Sequence, residues 1–120
     1  MVAVYGTTGV RESGMPKYLI QSTYTAQGTK GLLSEGGSGR RSEVEQVVGA
    51  CGGTLESMYF AYGDTDLYCI VDFPDHLSMA AVSMAVRASG AVESKATPLL
   101  TVEEIDAAAK QDVAFRPPGG

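Results

Sequence analysis

Two strand-like segments separated by only four residues limit the folds open to this chain. Residues 54–62 and 67–73 are rich in aromatic and β-branched side chains, and the sequence Gly-Asp-Thr-Asp joins them. Glycine and aspartate suit a tight turn, because glycine accepts unusual dihedral angles and aspartate hydrogen-bonds nearby backbone amides. Such a short connection produces neighbouring antiparallel strands. The sequence therefore predicts a β-hairpin in the middle of the chain.

Helical patterns lie on both sides of this hairpin. After it, Asp75 is a favourable N-cap for a helix that runs to about Ser89, with Gly90 as its stop. Before it, apolar residues at the spacing of one helix face are Val44, Val47, Val48 and Cys51. The glycine-rich segment at residues 25–39 is predicted to be a short helical turn around Leu32 and Leu33 followed by a flexible loop. Gly49 lies inside the predicted helix, so we expect a close neighbour there.

Further strands are predicted at both ends of this pattern, at residues 17–24 and 91–100. Pro98 lacks the N–H needed for a ladder bond, so it belongs at a sheet edge or at a strand end. Thr101 and Glu104 form a capping box that opens a short C-terminal helix. The order βαββαβ is typical of the ferredoxin-like fold. We therefore predict an α+β domain, an antiparallel sheet with both helices on one face and a short C-terminal helix.

The second face of this sheet is also expected to be apolar. On the third strand Leu67, Cys69 and Val71 point one way, and Tyr68 and Ile70 point the other. A sheet with one wet face alternates apolar with polar residues, and large exposed apolar patches usually mark interfaces. The pattern predicts a homo-oligomer whose sheet faces meet, as in a dimeric α/β-barrel.

Length and charge narrow the classes of partner. The chain has 120 residues and a net charge of −5, so one domain is expected and nucleic acid is a poor partner, because phosphate recognition needs a basic face. The sequence has no basic amphipathic helix and no long apolar span, so we expect neither membrane binding nor membrane insertion. We expect a cytoplasmic location.

The predicted organisation of the chain is an unpatterned extension at 1–14, a domain at 15–112 and an extended tail at 113–120.

Four further segments of the sequence are informative when taken together: "MPKYLIQSTYT", "GLLSEGGSGRR", "GGTLESMYFAYGDTDLYCIVDFPD" and "LLTVEEIDAA". Together they resemble the GYD domain family of small bacterial and archaeal proteins. The resemblance implies a ferredoxin-like fold of the dimeric α/β-barrel type and no established function. The family is named for a Gly-Tyr-Asp signature at the hairpin, where this chain has Thr65 in place of the tyrosine. A catalytic tyrosine at that position is therefore not expected here.

Asp72 is the strongest candidate for chemistry. It shares a strand face with Tyr68, and a carboxylate covered by a partner subunit needs a hydrogen-bond partner or a raised pKa. Tyr59 is expected on the neighbouring strand, and His76 follows four residues later at a helix start. These four residues are predicted to line a ligand site, with Asp72 as acid or base in an enzyme. Pairing of Asp72 with an arginine or with backbone at the interface is the alternative.

A second candidate site lies at Arg40 and Arg41, which follow the glycines of "GGSGRR". Their guanidinium groups suit carboxylate or phosphate, although the segment lacks the ending of a phosphate-binding P-loop. His76 is the single histidine, and Cys51 and Cys69 lack metal-ligand spacing, so no metal site is expected. The cysteines are predicted to be free, buried thiols. No cofactor motif is present in the sequence.

Three functions remain open from the sequence. The first is an oligomeric module that binds a small molecule or a partner through the sheet face or barrel interior. The second is a cofactor-independent enzyme, by analogy with dimeric α/β-barrel monooxygenases and isomerases; one fold hosts many chemistries. The third is a purely structural assembly unit. A pocket lined by Tyr59, Tyr68 and Asp72 would favour binding or catalysis.

Overall fold

The computed structural model describes residues 14–120, so the predicted extension at 1–14 lies outside the described residues except for its last glycine. Within the described part, Met15–Leu99 forms one compact unit and Leu100–Gly120 belongs to another. The elements of the first unit are β1 (Lys17–Tyr24), α1 (Ala26–Ala50), β2 (Thr54–Phe60), β3 (Leu67–Asp72), α2 (His76–Ala88) and β4 (Val92–Leu99).

The sheet of the first unit has the order β2-β3-β1-β4, and each neighbouring pair is antiparallel. Lys17 lies opposite Asp72 on one side and opposite Leu99 on the other. The proline of β4 lies in an edge strand, as its missing N–H predicts. These observations confirm the predicted α+β class and the antiparallel sheet, and they are compatible with a ferredoxin-like fold.

The core lies between the helices and one face of the sheet. Leu67, Cys69 and Val71 of β3 are buried, and they alternate with more exposed neighbours as predicted. Val48 from α1 and Met79 from α2 join the same buried cluster. Both helices therefore contact the same face of the sheet. The second face carries Tyr68 and its neighbours.

The glycine-rich segment before the hairpin is helical, so the predicted loop is wrong. Thr25 caps α1 by accepting a hydrogen bond from the backbone N–H of Gly28, and the helix then runs to Ala50 with one kink at Gly36. Gly36 has φ 76° and ψ 173°, a conformation that glycine adopts without a steric cost. The expectation of a close neighbour at Gly49 is also wrong, because a Cβ there would meet nothing within 4 Å.

Helix α2 begins as predicted. Asp75 is its N-cap and accepts a hydrogen bond from the backbone N–H of Ser78 at 2.8 Å. Its buried face carries Met79, while Leu77 and Met84 are 80% and 71% exposed. The helix therefore presents an apolar stripe to solvent within this unit.

In the second unit, helix α3 (Val102–Ala109) begins with the predicted capping box. Glu104 N–H donates to the Thr101 hydroxyl, and the Glu104 carboxylate accepts from the Thr101 N–H. The last residues, from Asp112 onward, are exposed and without helix or strand.

Candidate functional site

The two helices lie over opposite edges of the sheet. Helix α1 packs mainly against β2, and α2 packs against β4, the two edge strands. The central strands β1 and β3 are consequently covered by side chains reaching across from both helices, rather than by a helix lying directly on them. A cavity of about 360 Å³ remains between the helices and the sheet.

The cavity wall is mainly apolar and comes from five elements, α1, β1, β3, α2 and β4. Residues that contribute to it are Val44 and Val48 of α1, Cys69 and Val71 of β3, and Val82 and Val86 of α2. On β1, Ile20, Ser22 and Tyr24 reach the same space, because alternate residues of a strand share a face. Wide, apolar clefts of this size are typical of small-molecule sites, which occupy about 300–1,000 Å³.

Two residues that line the cavity each have one polar atom that is buried away from the cavity and lacks a hydrogen-bond partner among residues 14–120. The two atoms are the hydroxyl of Tyr24 and Nε of Arg40. Burial raises the pKa of the Tyr24 phenol, and the positive charge of Arg40 acts in the opposite direction. Arg40 Nε lies 3.3 Å from a carboxylate oxygen of Glu35, which gives an ion pair without hydrogen-bond geometry. Unsatisfied buried donors are uncommon in native proteins.

Two other polar groups of the wall come from Ser22 and Cys69. Ser22 is buried, and its hydroxyl hydrogen-bonds that of Ser94 at 2.9 Å, which ties β1 to β4. Cys69 is a free thiol, and burial raises its pKa to about 11. A thiol with that pKa is protonated at neutral pH, so Cys69 is a poor nucleophile. Cys51, the second free cysteine, is only half-buried.

Three predicted site residues lie on the other face of the sheet, here called the open sheet face. Tyr59 of β2 lies directly opposite Tyr68 of β3, and Asp72 follows on the same face of β3. Tyr59 is 72% exposed and Tyr68 is 38% exposed. The structure therefore groups these three residues on one surface, on the opposite side of the sheet from the cavity.

Asp72 has an intramolecular partner that the sequence analysis missed. The ammonium group of Lys17 lies 3.0 Å from an oxygen of Asp72, and it also hydrogen-bonds Glu56. Partial burial acts to lower the pKa of Lys17, but the hydrogen bonds to Glu56 and Asp72 outweigh burial and raise it. Three charged side chains from β1, β2 and β3 thus form one network on the open sheet face.

His76 is separated from this network. It is the first residue of α2, and its Nδ1 hydrogen-bonds the hydroxyl of Tyr18, a second residue that sequence reasoning missed. The two rings meet edge to face with centroids 5.9 Å apart. Tyr18 belongs to the core cluster on the helix side of the sheet, whereas Asp72 faces the open side.

The two arginines of "GGSGRR" also separate. Arg40 reaches the cavity, while Arg41 is exposed and pairs with Glu45 one turn along α1, at 3.6 Å. Within residues 14–120 no group of three or more histidine, cysteine or acidic side chains could hold a metal ion. No helix in the same range has the length and apolar character needed to cross a membrane.

Comparison with known proteins identifies the family. A family model for the GYD domain matches residues 18–109, which include the sheet, both cavity helices and α3. No curated protein and no solved structure matches the chain. The match covers most of the sequence and confirms the resemblance seen in its motifs. This chain belongs to the GYD domain family.

Proposed function

We propose that this GYD domain is a small-molecule-binding module whose ligand occupies the cavity between α1, α2 and the central strands. The observation that carries the proposal is a largely apolar space of about 360 Å³ that is lined by valines of α1, β3 and α2. Side chains that line an unfilled space lack packing partners on one side. A bound ligand restores the contacts that the wall lacks.

A cavity-filling substitution tests the binding site. Val86 lines the cavity, so Val86→Phe fills part of it, while Met84→Phe places the same side chain on the exposed stripe of α2. A two-ring aromatic compound at about 100 times its Kd stabilises the native state by about 2.7 kcal/mol. We expect this to raise the Tm of the wild type and of Met84→Phe by several degrees, and to leave Val86→Phe unchanged. If no compound of one or two rings raises the Tm of the wild type, the proposal is contradicted.

A homo-oligomer formed through the open sheet face is the second proposal. Tyr59 and Tyr68 are exposed side by side there, and Leu19 and Ile70 are only half-buried on the same face. A ferredoxin-like sheet in a dimeric α/β-barrel covers this face with a second copy. An aromatic surface on one side of a sheet supports such an interface.

Light scattering at micromolar concentration tests the interface. We expect the wild type to have at least the mass of a dimer and Tyr68→Lys to be monomeric. Leu77→Lys is the matched control, because it places the same charge on an exposed apolar residue of α2. A monomeric wild type contradicts the oligomer.

The enzyme alternative, with Asp72 as acid or base, has less support than binding. Asp72 is held by Lys17 in a network that joins three strands. An ion pair of this kind suits a structural role. If no small acid, phenol or quinone raises the Tm of the wild type, and Asp72→Asn changes only stability, the enzyme alternative should be abandoned. If the protein binds no compound, a purely structural assembly unit is the function that remains.

A further inference from the structure

We infer that the cavity takes an amphiphilic molecule, with an apolar body of about two rings and with its polar groups confined to one end. The apolar body lies in the closed end of the cavity, and the polar groups remain in contact with water at the open end. The inference deepens the proposed binding function and rests on it.

The register of the sheet shows which parts of the two helices lie at the same end of the cavity. Strand β1 ends at Tyr24, opposite Val92 at the start of β4, so the start of α1 and the end of α2 lie at one end of the sheet. Strand β2 begins at Thr54, opposite Asp72 at the end of β3. The end of α1 and the start of α2 therefore lie at the other end, because only a few residues join each helix to its strands.

The cavity is closed where α1 ends and α2 begins. Four of its lining side chains belong to this end, and all are buried: Val48, Val71, Phe73 and Met79. None of these four side chains carries a hydrogen-bond donor, and the sulfur of Met79 is only a weak acceptor. A polar ligand group placed there would lose its hydrogen bonds to water without replacement. The closed end therefore accepts only the apolar part of a ligand.

The opposite end of the cavity is polar and open to solvent. Its mouth is formed by Arg40 and Glu43 of α1 and by Ser89, the C-cap of α2. Glu43 and Ser89 are exposed, and Arg40 is half-buried and lies about 12 Å before Val48 along the helix. A hydroxyl or similar group of the ligand keeps its hydrogen bonds to water at this mouth. The two ends thus impose a direction on a bound molecule.

The volume sets the size of the apolar body. An apolar cavity of about 150 Å³ holds one benzene ring. The cavity here, at about 360 Å³, has a little more than twice that volume. A fused two-ring skeleton therefore fits lengthwise between the closed end and the mouth.

Two isomers of one compound test the direction of binding. Naphthalene-2,3-diol carries both hydroxyl groups at one end of the ring system, and naphthalene-2,6-diol carries them at opposite ends. Their affinities for the full chain are measured by calorimetric titration, with 2-naphthol as the reference. We expect naphthalene-2,3-diol to bind about as tightly as 2-naphthol. Naphthalene-2,6-diol should bind about tenfold more weakly, because one of its hydroxyl groups must enter the closed end.

A substitution at the mouth tests where the ligand enters. Glu43→Phe places a ring at the mouth and should slow the association of 2-naphthol several-fold, as measured by stopped-flow fluorescence. Glu45→Phe is the matched control, because it makes the same change on α1 at an exposed residue outside the cavity wall. This control should keep the wild-type association rate. Equal association rates for the two variants would show that the mouth is assigned wrongly, and the inference would fail.

The outcomes separate this inference from the proposed function. If naphthalene-2,6-diol binds the wild type as tightly as naphthalene-2,3-diol, the inference is overturned while binding in the cavity stands. If neither diol nor 2-naphthol binds but another two-ring compound does, the inference alone fails. If no two-ring compound binds the wild type, the proposed function and the inference fail together.

Discussion

The hydroxyl of Tyr18 and Nδ1 of His76 form a hydrogen bond that joins the first strand to the start of the second helix. Tyr18 is only 3% exposed, so its hydroxyl depends on a protein partner. Tyr24, at the other end of the same strand, has a buried hydroxyl without a hydrogen-bond partner in the described part of the chain. One strand thus carries two tyrosines on the same face with opposite hydrogen-bonding states.

Removing the Tyr18 hydroxyl should destabilise the domain. Tyr18→Phe keeps the ring in the core but removes the hydrogen bond to His76. A typical intramolecular hydrogen bond contributes about 1 kcal/mol net. We expect the free energy of unfolding, measured in urea, to fall by about that amount. An unchanged midpoint with an unchanged m-value would show that the bond contributes nothing.

Tyr24→Phe is the matched substitution and should have the opposite sign. It removes a buried donor that has no partner, so no hydrogen bond is lost and a desolvation penalty of about 1–3 kcal/mol is partly relieved. We expect the free energy of unfolding to stay constant or to rise by up to about 1 kcal/mol. A loss as large as that of Tyr18→Phe would refute the view that this hydroxyl is unsatisfied in the free protein.

Cys69 should make the domain lose stability at alkaline pH. Burial raises the pKa of its thiol from an ordinary value of 9.0 to about 11. Below pH 9 the thiol is neutral in both states and adds no pH dependence. Between the two values the unfolded chain releases the proton and the folded chain keeps it, so the free energy of unfolding falls as pH rises.

Two variants isolate this effect of Cys69. The drop between pH 9 and pH 11 should be smaller by about 2 kcal/mol in Cys69→Ala than in the wild type. Lys17, whose pKa is also raised, contributes equally to both proteins, whereas the charge of a Cys69 thiolate raises the pKa of Tyr24, so the difference between the proteins includes the loss of that interaction. Cys51→Ala, at the half-buried cysteine, should keep the wild-type slope. If the free energy of unfolding falls equally with pH in all three proteins, burial does not raise the pKa of the Cys69 thiol.

The Lys17 network should contribute little to stability. The Lys17 and Asp72 side chains are partly exposed, and exposed ion pairs contribute about 0–1 kcal/mol. We expect Asp72→Asn to lower the free energy of unfolding by about 1 kcal/mol, and Glu56→Gln, which alters a more exposed partner, to lower it less. Chemical denaturation at low and high salt measures both. An Asp72→Asn loss above about 3 kcal/mol would instead indicate a fully desolvated pair.

Two glycines of α1 should respond oppositely to alanine. At Gly28 an added Cβ would lie 2.0 Å from the backbone oxygen of Ala91, a distance that forces the helix away from β4. At Gly49 nothing lies within 4 Å. Gly49→Ala should therefore raise the free energy of unfolding by about 0.5–1 kcal/mol through helix propensity. Gly28→Ala should lower the Tm severely, and equal effects would contradict the close approach.

Local patterns predicted much of the fold because their causes are local. Alternation along β3, the cap at Asp75 and the box at Thr101 each depend on a few consecutive residues, and the structure has all three. The start of α1 was missed because glycine lowers helix propensity, while the cap at Thr25 and the tolerance of Gly36 for positive φ let the helix form. Helix propensity alone predicts a helix poorly where capping residues and tertiary packing determine whether the helix forms.

The candidate site could be predicted only in part, because its geometry is not local. Lys17 and Asp72 are 55 residues apart, and Tyr18 and His76 are 58 apart. Sheet register brings the first pair together, and the position of α2 brings the second. The cavity depends on both helices lying over edge strands, which no spacing in the sequence encodes. Arg40 was identified as a possible ligand-binding residue, but its neighbour Tyr24 was not.

The kink at Gly36 sets the direction of the second half of α1. The φ and ψ angles of Gly36 determine where the later residues of α1 lie, including the cavity residues Arg40, Val44 and Val48. Any other residue at position 36 meets a steric cost at positive φ. A change at residue 36 therefore alters the shape of the cavity without altering any residue of its wall. Related chains can differ in cavity width in this way.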